Sequence, residues 1–342
     1  LRALGARVEA ALVVCPDGTP ADVATPVLRA AHPIPDERSL AAAAEALRFA
    51  RGPGDGVLLL LSGGASALLA APRGLSLEQK AQLTRALQAR GAPITAMNAI
   101  RRRLSWIKGG GLLRAAAPRP MPTVALRDVL GGAPWDVASG PGLPDPTSDP
   151  AARAALEAYA PEHRSLRLYT PCLPLSPAAR RARYHEVAGP EDAAAMLATV
   201  LRRRGARVEL GAPSTAHVEA LAAEYQERAA RLGVGEAWVR CAEPTLAVPA
   251  AAGRGGRSTH LALLVASRPP PGVAFLAGAT DGADGSSGTA GAVVTRDTAL
   301  AGANEALAAY DTAPYLDARG ATLRLGPTGI NLADVHALYR AS

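Results

Sequence analysis

The sequence predicts an α/β protein of two domains, the first built on a Rossmann-like, largely parallel sheet. Short apolar runs are followed by glycine-bearing loops and then by helix-patterned segments, the order that packs helices onto parallel strands. The chain has 342 residues, more than the ~250–300 that a single hydrophobic core organises. Hydrophobic residues make up 49% of it and aromatic ones 4%, so the core is aliphatic.

Glu9 to Val14 reads as a strand turning at Pro16-Asp17-Gly18, and Ser39 as the cap of an alanine-rich helix ending near Gly52. Val57 to Leu61 is continuously apolar, as in a buried strand, and runs directly into Ser62-Gly63-Gly64-Ala65-Ser66. Ser76-Leu77-Glu78-Gln79 is a capping box for a helix that stops at Gly91. A helix from Thr95 to Ile107 meets Lys108-Gly109-Gly110-Gly111, and Thr123 to Leu126 is a strand leading to Arg127-Asp128-Val129-Leu130-Gly131-Gly132. Asp149-Pro150 opens another helix. Prolines at 161, 171, 174 and 177 mark the expected crossing between a domain of residues 1–165 and one of 166–342. Beyond it, helices are expected at Pro190 to Arg204, Ser214 to Leu232 and Ser258 to Ala266. Strands are expected at Ala206 to Leu210 and Val273 to Ala277, with Ala237 to Cys241 and Thr245 to Val248 paired as a hairpin.

Composition excludes several classes. No apolar run approaches the roughly 20 residues of a membrane span, and the opening Leu1-Arg2-Ala3-Leu4 lacks a secretory leader's pattern, so a cytoplasmic protein with no membrane partner is expected. Cys15, Cys172 and Cys241 are scattered and form no Cys-x-x-Cys pair, against a disulfide framework or a thiolate zinc site. The net charge of +7 comes almost wholly from arginine, Lys80 and Lys108 being the only lysines. The clusters Arg101 to Arg103 and Arg202 to Arg204 have no interleaved aromatics, so nucleic-acid binding is not expected. A basic balance suits an enzyme with anionic ligands.

Two loops stand where an open α/β sheet holds its ligands, just past the C-terminal end of an apolar strand. Ser62 to Ser66 has the glycines that let backbone N–H groups approach an anion, yet it is neither a Walker A loop nor a dinucleotide fingerprint. Thr280-Asp281-Gly282-Ala283-Asp284-Gly285 places two carboxylates after Val273 to Ala277, as a turn or as a metal–phosphate or acid/base site. Arg257 in Gly255-Gly256-Arg257-Ser258 stands at a helix start, where its fork can hold carboxylate or phosphate oxygens.

In order along the chain, these motifs resemble the glycerate 2-kinases, also called MOFRL kinases. The resemblance covers His32-Pro33-Ile34-Pro35-Asp36, Ser62 to Leu69, Asn98 with Arg101 and Leu104 to Gly110, and Ala138 to Pro141 with Pro144 to Thr147. It continues through Glu243-Pro244-Thr245, Gly255 to Arg257, Thr280 to Gly285 with Ala290 to Ala292, and Gly326 to Asn331 with Asp334. It implies a mixed-sheet, MOFRL-type second domain and transfer of the ATP γ-phosphate to the 2-hydroxyl of D-glycerate with Mg²⁺, in a cleft between the domains. It further implies that Ser62, Gly63, Gly64, Ser66 and Lys108 handle phosphates, that Arg257 holds the substrate carboxylate or the moving phosphoryl group, and that Asp281 is the base or a metal-orienting group. Asn331 and Thr328 would close the site, Asp128 would assist the metal, and a homodimer is compatible with all of this.

Departures leave alternatives open. The family's N-terminal Gly-Lys-Ala element has no counterpart here, and the chain opens as if within a domain. Ser and Asp of the family's Ser-Asp-Val-x-Gly-Asp are Arg127 and Gly132, the residues after Arg257 are Ser258-Thr259-His260, and Ala65 replaces a glycine. An inactive, ligand-binding member and a hydroxypyruvate reductase are the alternatives, the latter opposed by the lack of a nicotinamide-binding glycine fingerprint.

Overall fold

The structure, a computed structural model, describes residues 7–19, 25–32, 34–267, 272–298 and 301–341. Leu1 to Leu4 and Pro33, on which two of the expectations above rest, lie outside them. The chain forms two compact units, unit 1 of Leu1–Ala125 with Gly132–Val187 and unit 2 of Leu126–Gly131 with Ala188–Ser342. The proline-bearing stretch 161–177 therefore lies within unit 1.

Unit 1 runs β1 (Val13–Pro16), β2 (Val27–Ala30), α1 (Glu37–Arg51), β3 (Leu59–Leu61), α2 (Ala65–Leu68), α3 (Leu77–Ala89), α4 (Ile94–Arg103), α5 (Gly111–Ala116), β4 (Met121–Leu126), α6 (Asp149–Tyr159) and β5 (Ala182–Ala188). The pairs β1–β2 and β3–β4 are parallel, with β3, β4 and β5 in one sheet. Several expected ends move by a few residues because hydrogen bonding settles them. Asp36, not Ser39, caps α1; Ser39 is its reciprocal partner, accepting from the Asp36 N–H. Ser148 caps α6, with Asp149 in its first turn. Helix α4 stops at Arg103 rather than Ile107, because Ser105 Oγ accepts the N–H groups of Ile107 and Lys108 and turns the chain away. Strand β3 corrects the buried reading: it lies at a sheet edge, and Leu60 is 58% exposed while Leu61 packs inward.

Two aliphatic clusters hold unit 1. One joins α1, α5 and β4 through Ala43, Leu113 and Met121. The other joins α3, α4 and α6 through Leu87, Ile100 and Leu156. Beside the second, α4 ends in Arg101, Arg102 and Arg103, the last two almost wholly buried. Asp145, fully buried, receives Arg102 Nε at 2.9 Å and Arg103 Nη1 at 2.7 Å. Asp136 lies 3.5 Å from Arg102 Nη1, and the half-exposed Asp149 lies 2.9 Å from Arg103 Nη2.

Unit 2 runs α7 (Pro190–Arg203), β6 (Arg207–Leu210), α8 (Val218–Arg231), β7 (Glu236–Ala242), α9 (Arg257–Ala266), β8 (Val273–Ala279), β9 (Gly291–Val294), α10 (Ala303–Ala308), α11 (Thr312–Asp317), β10 (Thr322–Leu323) and β11 (Asp334–Arg340). The strands make one mixed sheet ordered β10-β9-β8-β11-β7-β6. Only β6–β7 is parallel among its registered pairs. Alternate residues face two cores: Trp238, Phe275 and Leu338 meet α8 and α9, while Val239, Leu276 and Ala337 meet α7. The expected hairpin does not form. Thr245 makes only an isolated bridge to His217, and β7 pairs instead with β11, from the far end of the chain. Among the described residues no helix is long and apolar enough to cross a membrane.

Because Asp145 is the buried carboxylate shared by two buried arginines, its loss leaves them only Asp136 and Asp149 at the edge of the cluster. Asp145→Ala is expected to cost about 3–5 kcal/mol in chemical denaturation, whereas Asp149→Ala, at a half-exposed carboxylate, costs under about 1 kcal/mol.

Candidate active site

In unit 1 the loop after β3 delivers Ser66 into the first turn of α2, which Gly64 starts in the left-handed region at φ 80°. A Cβ there would stand 3.0 Å from the His32 ring, so this glycine answers to packing as well as to backbone conformation. Ser66 Oγ is a hub. Lys108 Nζ donates to it and, at 3.1 Å, to the Ser66 carbonyl. Arg101 Nη2 donates to it at 3.0 Å, and Ser139 Oγ lies 3.3 Å away. Asn98 braces the far side, its Oδ1 accepting from Ser139 and from Arg101 Nη1, each at 3.4 Å, and its Nδ2 donating to Asp136.

The backbone is strained at this point. Ala138 and Ser139 have φ of 52° and 63°, a region that costs a non-glycine residue of order 1–3 kcal/mol and that clusters at functional sites. The glycines after Lys108 have another role. Gly110 lies so close to Cys172 that a Cβ would come within 2.5 Å of the Cys172 Cβ, so Gly109 to Gly111 form a packed turn that locks Lys108 inward.

Charge sets this cluster apart. Among the described residues, no carboxylate lies within ion-pair distance of Lys108, Arg101 or Lys80. Lys108 is held well below the ordinary lysine range, first by burial and then by Arg101 and Lys80. Burial and Arg102 lower Arg101, and burial and Arg101 bring Lys80 down to about 8. Each cation is destabilised by burial and by a neighbouring positive charge, the condition an anion relieves.

In unit 2, β11 runs antiparallel to both β7 and β8, so its first residue, Asp334, stands opposite Ala242 and Ala279 at the ends from which the loops of Glu243 and Thr280 leave. Asp334 is buried and receives Arg257 in a fork, Nε at 2.7 Å and Nη2 at 3.0 Å, with Glu243 3.9 Å from the same guanidinium. Burial lifts Asp334 to about 6 against the pull of Arg257. Burial likewise raises Glu243, opposed by Arg257 and aided by Asp128. The two carboxylates of Thr280 to Gly285 part company. Asp284 accepts the Ser258 and Thr259 N–H groups at 2.8 Å and caps α9, while Asp281 is the one left to line a cavity of about 520 Å³ with Gly282, Gly285, Arg324 and Gly326. Thr328 Oγ1 donates to backbone carbonyl oxygen, at 2.6 Å to that of Thr280, and Asn331 Oδ1 accepts the Ala333 N–H, so both brace the loop beside Asp281.

Among the described residues no three His, Cys, Asp or Glu side chains gather as a metal cage. The sequence matches a domain of unknown function, DUF4147, over residues 2–168, and the MOFRL family over residues 236–334. It is 33% identical to an Agrobacterium vitis protein provisionally named hydroxypyruvate reductase, across 91% of this chain and 76% of that one. It is 30% identical to the D-glycerate 2-kinase of Thermotoga maritima, across 90% of this chain and 78% of that one. The crystal structure of Thermotoga maritima glycerate kinase matches with a TM-score of 0.83 at 28% identity, covering 99% of this chain and 87% of that chain. The chain belongs to the glycerate 2-kinase family.

Of the residues that the glycerate 2-kinase motifs singled out, the structure brings Ser66 and Lys108 into contact in unit 1, and in unit 2 it packs Thr328 against the Thr280–Asp281 turn. Ser62 and Gly63 lie in the loop between β3 and α2, and Asp128 lies in the short segment Leu126–Gly131 of unit 2. The motifs carried Arg101 and Asp334 without a role, and Lys80 belonged to none of them. A signal for Lys80 existed: it shares a helix face with Leu83 and Leu87, an odd place for a charge.

The raised value at Asp334 has a definite sign. The folded state takes up this proton before the unfolded state does, so it contributes stability as pH falls from about 6 towards the ordinary 3.8. In denaturation curves, the stability of the wild type relative to Asp334→Asn should rise by roughly 1.4 kcal/mol per pH unit across that window and level off outside it.

Proposed function

We propose that this protein transfers the γ-phosphoryl group of ATP to the 2-hydroxyl of D-glycerate, giving 2-phosphoglycerate, with Mg²⁺. The observation that carries the reading is the convergence of Lys108 and Arg101 on Ser66 with no carboxylate partner among the described residues. A buried, unneutralised pair of cations is a costly arrangement in a ligand-free fold, and a phosphoryl group offsets that cost. The donor set fits. Lys108 supplies a point charge, Arg101 a fork, and Ser66 a hydroxyl, and Ser62, Gly63 and Gly64 of the same loop are proposed to add backbone N–H groups.

When bound, Mg²⁺ neutralises charge on the phosphates. Because Mg²⁺ sites need only one or two protein carboxylates, Asp128, with Glu243 near it, would hold the ion here. In unit 2, Arg257 is oriented by Asp334 to hold a substrate carboxylate or phosphoryl oxygen, and Asp281 to accept the hydroxyl proton. Asn331 and Thr328 act through the loop they brace. The free thiols of Cys15, Cys172 and Cys241 suit a reducing, cytoplasmic setting.

The test is production of 2-phosphoglycerate from D-glycerate and ATP with Mg²⁺, alongside a parallel assay of NADH oxidation by hydroxypyruvate. Arg101→Ala is expected to lower kcat/KM for the kinase reaction by about 10²–10³-fold with folding retained. NADH turnover without phosphorylation would sink the kinase reading in favour of the reductase that one relative's name suggests.

A further inference from the structure

The family motifs leave out one basic residue whose charge reaches the unit 1 cluster. We propose that Lys80 is the third cation of this pocket, a positioning residue whose charge makes it select a doubly charged phosphate group over a singly charged carboxylate. The inference rests on the phosphate-binding reading above and names what that pocket discriminates.

Placement comes first. On α3, Lys80, Leu83 and Leu87 fall at i, i+3 and i+7, one face of the helix, and Leu83 and Leu87 pack against Met97, Ile100 and Leu104 at α4. Lys80 is therefore turned towards the helix that carries Arg101, and it is half-buried there. Its field acts on Lys108 and that of Arg101 acts on it, so the three charges share one environment.

Among the described residues no carboxylate makes an ion pair with Lys80, Arg101 or Lys108. On its own helix, Glu78 is exposed and, two positions before Lys80, off its face, and Gln79 is tied into the Ser76 capping box. From α4 come Arg101 and, behind it, Arg102, which Asp145 and Asp136 already neutralise. From the turn after α4 comes Lys108, and from the other neighbours the neutral Ser66, Asn98 and Ser139. The α6 side of the cluster is apolar, with Ala155, Leu156, Tyr159 and Ala160.

Three cations held together without an acid are poorly matched by one negative charge and better matched by two. Residue choice points the same way. Of 37 basic residues only two are lysines, and both are here. Lysine differs from arginine in its compact charge and in a proton it can lose when buried. With a value of about 8, Lys80 carries its charge at neutrality and sheds it in mild alkali unless an anion holds the proton in place.

The experiment is calorimetric titration of the full chain with inorganic phosphate, and with acetate as the singly charged comparison, for wild type, Lys80→Met and Lys80→Arg. Near neutral pH, Lys80→Met should weaken phosphate binding about tenfold or more while changing acetate far less, and Lys80→Arg should stay within about threefold of wild type. Between about pH 7 and about pH 9, wild-type affinity should fall about tenfold more than that of Lys80→Arg, whose charge does not titrate. Equal phosphate affinity in wild type and Lys80→Met, equal losses for phosphate and acetate, or the same pH dependence in wild type and Lys80→Arg would each overturn the proposal. Should Lys80→Met fail to fold, the pH comparison with Lys80→Arg decides alone. A chain that binds phosphate through Lys80 yet makes no 2-phosphoglycerate would retain this inference and reject the kinase; glycerate phosphorylation with Lys80-independent phosphate binding would do the reverse.

Discussion

Unit 1 is organised around positive charge taken out of water. Helix α4 ends in three consecutive arginines, and a helix spreads consecutive residues over different faces. Arg102 and Arg103 meet Asp145, which is fully buried and itself fixed by the Cys172 carbonyl and the Thr147 N–H. Arg101, one position earlier, points to Ser66 and finds only neutral partners among the described residues. Identical side chains on one helix thus acquire opposite roles, two as internal structure and one as part of a receptor. What separates them is whether the fold supplies a carboxylate.

Unit 2 solves a different problem, the close approach of three loops at one end of a sheet. Gly256 lies where a Cβ would come within 2.2 Å of the Asp284 carboxylate, and Gly282 where one would come within 2.0 Å of the Gly326 carbonyl. Backbone therefore packs on backbone, and Asp284 can reach the N–H groups at the start of α9. That cap fixes the helix whose first residue is Arg257, and Asp334 fixes the guanidinium from the adjoining strand. Ala333, just before Asp334, has a φ of 61°, so each unit bears a non-glycine residue in the left-handed region beside its charged cluster.

The departures from the family pattern take on local meaning in this setting. Arg127, in place of a serine, pairs with Glu191 at the start of α7. Ser258 and Thr259 offer their backbone N–H groups to Asp284, a contact that does not depend on side-chain identity, and His260 stacks on Tyr310 at 5.0 Å between ring centres. These substitutions fit the scaffold around the charged clusters, while Ser66, Lys108, Arg257 and Asp281 themselves remain.

Local signals made much of this protein legible from its residues. Capping boxes and glycine stops act over four or five residues, so the start of α3 and the glycine turn after α4 could be read directly, as could β8, with its uninterrupted apolar run, while the start of α1 was read three residues late. Ordered motifs supplied the family and, through it, Ser66, Lys108 and Arg257. Strand β11 escaped notice because its Asp334, His336, Tyr339 and Arg340 look like surface residues until Arg257 and Tyr225 pair with the first two from distant segments. The hairpin failed for the same reason: the better partner for β7 was about ninety residues away, beyond the reach of local propensity. Lys80 carried a signal in its spacing with Leu83 and Leu87, but its meaning emerged only once α3 and α4 shared one cluster. Sequence alone determined which segments become helix or strand in much of the chain and which family it joins, because periodicity and ordered motifs are local. Tertiary structure decided which charges are neutralised, because a counter-ion can come from anywhere along the chain.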